Sequence, residues 1–507
     1  MVYKEIESLL YFANVHLLLD ELDMPLVRNQ ILDSIGLDTY EGSEVEYEVV
    51  EALECPCSLL DPIVDFAVES GKIDASKKEY LGNKIMGLLS KNPSDLADLF
   101  AVAQKRNPAK ATQWLFDYCI KNNYVNMCKN SKNKHWDAKA TSGKLEVTIN
   151  LAKPEFSVAQ VKQAQATESG YPLCGICAEN EGYAPRNKQN MRTVPLTVAG
   201  QDWFMQFSPY SYFNQHIIVI NKEHTPMVID QTTITKLLDV QDHLPHYFVG
   251  SNSDLPGVGG SILGHEHFQG GHKALPMFFA KDRRVFKSAA HPLVTVSEID
   301  WYNNAIRAVS LDRHRLIAFG NDILEKWKSY SDESVGLLSN TNGEQHHTAS
   351  LCVRRDKQDR YVLEIILRSN IASKEHPHGV FHAHADKHNI KSEAIGLIEA
   401  MGLFVLPGRL DAQMDEIVGY LTKELKYTAG KLSDEMKCHE EMIDKLFKTQ
   451  GSSKPSKLEA TLNLKDEINA TCEQILLDTA VFKQDSKGKD GLNKFFAHCG
   501  LEEKEAR

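Results

Sequence analysis

The hydrophobic period of this chain changes twice, and that constrains its fold more than any other feature. Up to about residue 130 apolar residues recur at helical spacing: Leu9, Leu10, Phe12, Ala13, Leu17 and Leu18, then Met86, Leu88, Leu89, Leu96, Leu99 and Phe100. Asn92-Pro93-Ser94 separates two helices, with Ser94 as the expected N-cap. The polar run 128–143 reads as a connecting loop. From Lys144 the period falls to two. LEVTINL (145–151), QHIIVIN (215–221) and HYFVGSN (246–252) alternate as strands. HTASLCVRR (347–355) and YVLEIILRSN (361–370) predict an antiparallel pair that turns around Asp356–Asp359. From about residue 390 the helical spacing returns, over SEAIGLIEAMG and then MDEIVGYLTKELKYTAGKL. The plan is α+β with helical flanks.

Histidines mark the strand-rich part. Of 20 in the chain, seven fall in 216–272 and seven in 346–388, and both windows hold His-x-His pairs: His265/His267, His376/His378 and His382/His384. Two diverged copies of one half-domain would give this distribution, although no longer internal repeat is visible.

The first window contains GGSILGHEHFQGGH, 259–272. On a strand, residues two apart share a face, so His265, His267 and Gln269 would line one side. Gly259 and Gly260 let backbone N–H groups approach an anion closely. Imidazoles, an amide and backbone donors are what phosphoryl transfer through a histidine requires: one ring attacks phosphorus while its neighbours hold the tautomer and the charge on oxygen. A bare His-x-His is also what a polar edge strand looks like, and the added glutamine and glycine turn tip the balance.

Cys174 and Cys177 in YPLCGICAENEGY form a Cys-x-x-Cys, a metal knuckle or a redox pair. The redox reading wants a βαβ context that Pro172 and the Glu-Asn-Glu-Gly turn do not offer. Zinc wants two more ligands. His224, at a strand end, and His265 could complete a tetrahedron, which with four protein ligands would be structural; two reduced thiols in a turn remain the plain alternative. The second histidine window, HPHGVFHAHADKHN, could hold a metal, donate to a sugar phosphate, or be a solvated loop. Arg409 in LPGRL is the best single phosphate-binding candidate nearby.

A net charge of −12 argues against nucleic acid as a partner. The N-terminus lacks the basic and apolar regions of a signal peptide, and no run approaches the length of a membrane span. The expected location is therefore cytoplasmic, and most cysteines, Cys128 among them, read as single buried residues.

The run FVGSNSDLPGVGGSILGHEHFQGG, together with TSGKLEVTINLAKPE, YPLCGICAENEGYAPR, FSPYSYFNQHIIVINKEHTPM and HPHGVFHAHADKHNIKSEAIGLIEAMGLFVLPGRL, resembles the second-type galactose-1-phosphate uridylyltransferases, a branch of the histidine-triad superfamily. The resemblance implies a helical region over 1–130, two histidine-triad-like antiparallel sheet half-domains over 144–300 and 301–410, and a helical region over 411–507. It implies ping-pong exchange of UMP between UDP-glucose and galactose 1-phosphate, with His267 as nucleophile, Gln269 on the phosphoryl oxygens and Asn252 on the nucleotide. It also implies zinc on Cys174, Cys177, His224 and His265, the set matching that of first-type enzymes, which are dimers; a homodimer is the corresponding expectation here. Glu266 and Phe268 depart from the proline or small residues of first-type enzymes, Ile262 and Leu263 replace their serine and asparagine, and their iron site has no match. Alternatives are a superfamily phosphorylase or hydrolase using the same His267, a zinc-binding protein without activity, and a redox protein using Cys174/Cys177.

Overall fold

The computed structural model describes residues 2–152, 170–260 and 262–504, so residues 153–155 of the first strand-rich run and Ser261 of the glycine-rich turn lie outside the described residues. Helices occupy the first 130 residues. The helix Tyr3–Leu17 buries Ile6, Leu9, Leu10, Phe12, Ala13 and Leu17 on one face. Leu18 does not belong to that face: it ends the helix in the left-handed region at φ 60° and is exposed. The helix Pro93–Arg106 begins one residue before Ser94, with Asn92 at the cap and Pro93 in the first turn, where its missing N–H costs nothing.

The strands are β1 (Lys134–Ala140), β2 (Gly143–Asn150), β3 (Val194–Val198), β4 (Gln201–Phe207), β5 (Ile217–Asn221), β6 (Phe248–Ser251), β7 (His267–Gly271), β8 (Asp282–Ser288), β9 (Thr295–Ile299), β10 (Ala305–Ser310), β11 (Asn340–Thr341), β12 (Glu344–Gln345), β13 (His347–Arg355), β14 (Tyr361–Ser369), β15 (Leu403–Pro407) and β16 (Leu501–Glu503). β1 corrects the loop expected over 128–143. It pairs along its length with β2, yet only Ala138 is buried, so its strand character comes from its partner and not from its own apolar pattern.

Contacts divide the chain into two compact units. The first comprises Met1–Lys132, Phe156–Thr225 and His265–His272. Its strands run antiparallel in the order β3-β4-β5-β7, with Trp203 of β4 stacked on Phe268 of β7 at 5.1 Å. A disulfide joins Cys57 to Cys128, which corrects the reading of Cys128 as a single cysteine.

The second unit comprises Asn133–Glu155, Pro226–Gly264 and Lys273–Arg507. Its main strands run antiparallel in the order β16-β8-β9-β10-β14-β13-β6. The expected hairpin is present, in register from His347↔Ser369 to Arg355↔Tyr361. A smaller sheet sets β2 between β1 and a parallel β15. The helical return near 390 needs two corrections. SEAIGLIEAMG forms a single turn, Leu397–Ala400, before β15. The next helix, Leu410–Leu421, stops short of LKYTAGKL: Lys423 turns left-handed at φ 59°, and the Glu424 and Leu425 amides fold back to donate to the Gly419 carbonyl. A Cβ at Gly419 would meet the returning Leu425 side chain at 2.7 Å. The architecture is therefore α+β, with antiparallel sheets and helical flanks. Among the described residues no helix is long and apolar enough to cross a membrane.

Candidate active site and metal centre

Three segments of the first unit build the site. β5 ends at Asn221, and Lys222–Thr225 turns the chain, with the Glu223 amide donating to Asn221 Oδ1 at 3.0 Å and the Thr225 amide to the Glu223 carbonyl at 2.9 Å. The returning segment 265–266 pairs with both ends of that turn: Asn221 N–H donates to the Glu266 carbonyl (3.0 Å), and Glu266 N–H to the Thr225 carbonyl (2.7 Å). The Glu266 side chain is buried and its carboxylate accepts from Asn221 Nδ2 at 2.9 Å. This departure from the proline or small residue of first-type enzymes thus locks the turn that carries His224.

The regular strand begins at His267, not at His265 as alternation predicts. His265 sits just before it, fully buried, and turns toward the cysteines. Its Nε2–H donates to the Asn221 carbonyl at 2.7 Å, which leaves Nδ1 as the lone-pair nitrogen, 3.2 Å from Cys174 Sγ and 3.6 Å from Cys177 Sγ. His224 Nδ1 lies 3.2 Å from Cys177 Sγ, and the two sulfurs are 3.4 Å apart. The four ligand atoms lie within 4.8 Å of one another. Tetrahedral zinc, with bonds of about 2.0–2.3 Å, needs ligand separations of about 3.3–3.8 Å, so these residues fit the ion. The knuckle backbone is held from behind. Asn180 Nδ2 donates to the carbonyls of Cys174 (2.8 Å) and Cys177 (2.9 Å), and Arg186 donates to those of Cys174 and Pro172. Burial pushes the Cys177 thiol up to about 12, so as a bare group it is neutral, and a cation is what would bring it to the thiolate.

His267 is placed differently. Its Nδ1 is 2.8 Å from the His265 carbonyl, which can only accept, so the proton is on Nδ1 and Nε2 carries the lone pair. Burial lowers the His267 pKa, against the hydrogen bond to His265 and the charge of Glu266, both of which raise it. The ring is accordingly neutral near pH 7. Pairing sets His267 opposite Ile220 and Gln269 opposite Ile218, so His267 and Gln269 share a face, half exposed, while Phe268 is buried on the other.

Sequence reasoning missed His216. It precedes β5 on the face shared by Ile218 and Ile220 and is fully buried beside Tyr212 and Phe213. Burial pushes its pKa down to about 4, against the neighbouring Gln269 amide. Gly271 permits this approach, since a Cβ there would lie 2.6 Å from the Gln215 carbonyl. Asn180, Arg186 and Asn221 were also missed, and only the recurrence of polar residues around the motifs pointed to them.

The remaining candidates belong to the second unit. Asn252 Oδ1 accepts from the Leu397 amide at 2.9 Å and so caps the one-turn helix Leu397–Ala400. Gly259, at φ +112°, packs against the segment just before that helix, where a Cβ would lie 2.6 Å from the Ile395 carbonyl; one at Gly260 would lie 2.8 Å from the Ser253 carbonyl. Arg409 donates to the Asn389 carbonyl (3.2 Å) and to Gln413 Oε1 (2.9 Å), beside the buried His439.

The chain is similar to known proteins. Residues 19–226 match the family model described as galactose-1-phosphate uridyl transferase, N-terminal domain. A galactose-1-phosphate uridylyltransferase of Caldanaerobacter subterraneus is 38% identical over 511 residues, covering 98% of each chain. That of Halalkalibacterium halodurans is 36% identical, over 97% of this chain and 98% of its own. The chain belongs to the galactose-1-phosphate uridylyltransferase family. The enzyme of the same name from Bifidobacterium longum is 38% identical over 95% of this family member and 96% of its own length. Among solved structures, yeast Ap4A phosphorylase Apa2 aligns with a TM-score of 0.32 at 12% identity, over 62% of this chain and 96% of that one.

Proposed function

We propose that this chain exchanges UMP between UDP-glucose and galactose 1-phosphate through a covalent intermediate on His267. The observation that carries the reading is the tautomer of His267. With Nδ1–H committed to the His265 carbonyl, Nε2 is a neutral nucleophile that needs no proton removed before it attacks. Nε2 would bond to the α-phosphorus of UDP-glucose as the anhydride bond breaks and glucose 1-phosphate leaves with the bridging oxygen. The developing imidazolium is stabilised by the same carbonyl. A phosphate oxygen of galactose 1-phosphate then attacks the uridylyl group from solution, the N–P bond breaks, and neutral imidazole is restored. Gln269, two residues on along the same face, donates its amide N–H to the non-bridging oxygens.

Zinc on Cys174, Cys177, His224 and His265 would have no open position, and when bound it would supply cross-linking, not Lewis acidity. Through His265, the residue whose carbonyl orients the nucleophile would be anchored. The test is intact mass after mixing with UDP-glucose alone: a gain of one uridylyl unit, mapped to His267 and discharged by galactose 1-phosphate, supports the reading. Discharge by inorganic phosphate or water, with no transfer to the sugar phosphate, replaces it with phosphorolysis or hydrolysis. No adduct at all defeats it.

A further inference from the structure

The first unit holds a second sulfur cluster, remote in sequence from the knuckle. Cys55-Pro56-Cys57 leads into the helix Cys57–Glu69, and Cys128 lies in the short helix Met127–Asn130. Cys57 and Cys128 are joined by the disulfide, yet Cys55 Sγ is only 3.3 Å from Cys128 Sγ, and all three sulfurs lie within 4.8 Å of one another. A cross-link needs two cysteines. A third sulfur in contact with the bond adds nothing to it and, as a thiolate, would attack it. Three sulfurs arranged as a triangle are, in contrast, the donor set of a borderline or soft cation. About 2.3 Å per zinc–sulfur bond puts tetrahedral donors about 3.8 Å apart, a separation that opening the Cys57–Cys128 bond would allow within a cluster whose three sulfurs already lie within 4.8 Å of one another.

The surroundings favour the charge that such a complex carries. Cys57 is the first residue of a 13-residue helix, whose end presents unsatisfied N–H groups and partial positive charge. Lys121 interacts electrostatically with Cys55 and is anchored by donating to the Leu53 carbonyl. Three thiolates and a divalent ion sum to one negative charge, opposite in sign to both. Cys57 is buried, whereas Cys55 and Cys128 are partly exposed, which leaves the cluster open to an ion and a reductant.

We propose that Cys55, Cys57 and Cys128 form a redox-gated zinc site. A dithiol reduces the Cys57–Cys128 bond, two electrons and two protons passing to the pair as the dithiol becomes a disulfide. The three thiols then bind Zn²⁺ and release three protons. In the reverse direction a disulfide or diazene oxidant accepts two electrons from the Cys57 and Cys128 thiolates, the bond between them re-forms, Cys55 takes up a proton and Zn²⁺ is released.

The experiment compares zinc content of the full chain after reduction with dithiothreitol, zinc loading and desalting, for wild type, Cys55→Ser and Cys128→Ser. Wild type retains one equivalent more than either variant, and treating it with diamide releases that equivalent while the Cys57–Cys128 disulfide appears in peptide maps. Cobalt substitution gives the same difference as thiolate charge-transfer absorption. Because the readout is a difference, it holds whether or not the knuckle tetrad binds zinc. Equal zinc in reduced wild type and a Cys55→Ser variant with an unchanged melting temperature overturns the proposal, as does full zinc retention in diamide-oxidised protein.

Discussion

Two histidine-rich segments carry the same His-x-His spacing and hold their rings differently. In 265–269, each imidazole has one nitrogen committed to a backbone carbonyl and the other released: His265 directs Nδ1 to the cysteines, and His267 leaves Nε2 as its lone-pair nitrogen. In 376–388 three rings bond to carbonyls of their own loop. His384 Nε2 meets the Val380 carbonyl at 3.1 Å, and His388 Nε2 and His382 Nδ1 both meet the Ala383 carbonyl. His376 stacks on His384 at 3.9 Å, and Asp478 lies 3.5 Å from His384 Nδ1. Spacing alone therefore does not fix how the rings are held. The pattern becomes a site where strand pairing aims alternate residues at one face and the preceding turn supplies the carbonyl.

The sharpest way to break this contrast is to remove one ring from each segment. His267→Asn should lower kcat/KM by about 10⁴-fold or more, as loss of a covalent nucleophile does. His384→Gln should change it less than about threefold and register mainly as a modest fall in melting temperature. Comparable losses in steady-state assays would erase the distinction. Next in size is the knuckle. Cys174→Ser should lose the tetrad's zinc equivalent, and Asn180→Ala should weaken zinc affinity by about 10-fold or more, since outer partners orient the ligands. Zinc competition titrations measure both.

His216→Asn tests whether the buried ring acts through Gln269. We expect about a 10-fold fall in kcat with KM little changed, and slower formation of the uridylyl adduct in single turnover. A pure KM effect, or one matched by thermal destabilisation alone, would assign it to packing.

Acid stability probes both units at once. His216 in the first unit and His347 in the second, stacked on Trp327 at 4.2 Å, are each pushed down to about 4 by burial. Below pH 6.5 the unfolded chain binds protons that these folded sites refuse. Stability should therefore be complete above about 6.5 and fall as pH drops toward 4. Urea midpoints at pH 7 and 5 measure the loss, and His347→Phe should shrink it. The smallest effect is Asn252→Ala, which removes the cap on Leu397–Ala400 and should cost about 1 kcal/mol, read as a lower urea midpoint.

Much of the fold was legible because long apolar runs announce their own period. The β13/β14 hairpin and the helix Tyr3–Leu17 follow directly from their residues. β1 was not legible: its residues are polar, and only pairing with β2 makes them a strand. The end of Leu410–Leu421 was hidden for a related reason, since good helix formers continue past it and a left-handed Lys423 stops it.

At the site, the residue types of His265, His267, Gln269 and the Cys-x-x-Cys already mark the two motifs as candidates for imidazole and thiolate chemistry, because they supply the groups it needs. What tertiary structure alone decided is the division of labour. Which nitrogen holds the proton depends on a carbonyl two residues back or on another strand, and His216 reaches Gln269 only through the β5/β7 register. The chemical nature of a side chain is local and written in the chain, whereas its tautomer, aim and neighbours are set by backbone groups that only folding brings within hydrogen-bond distance.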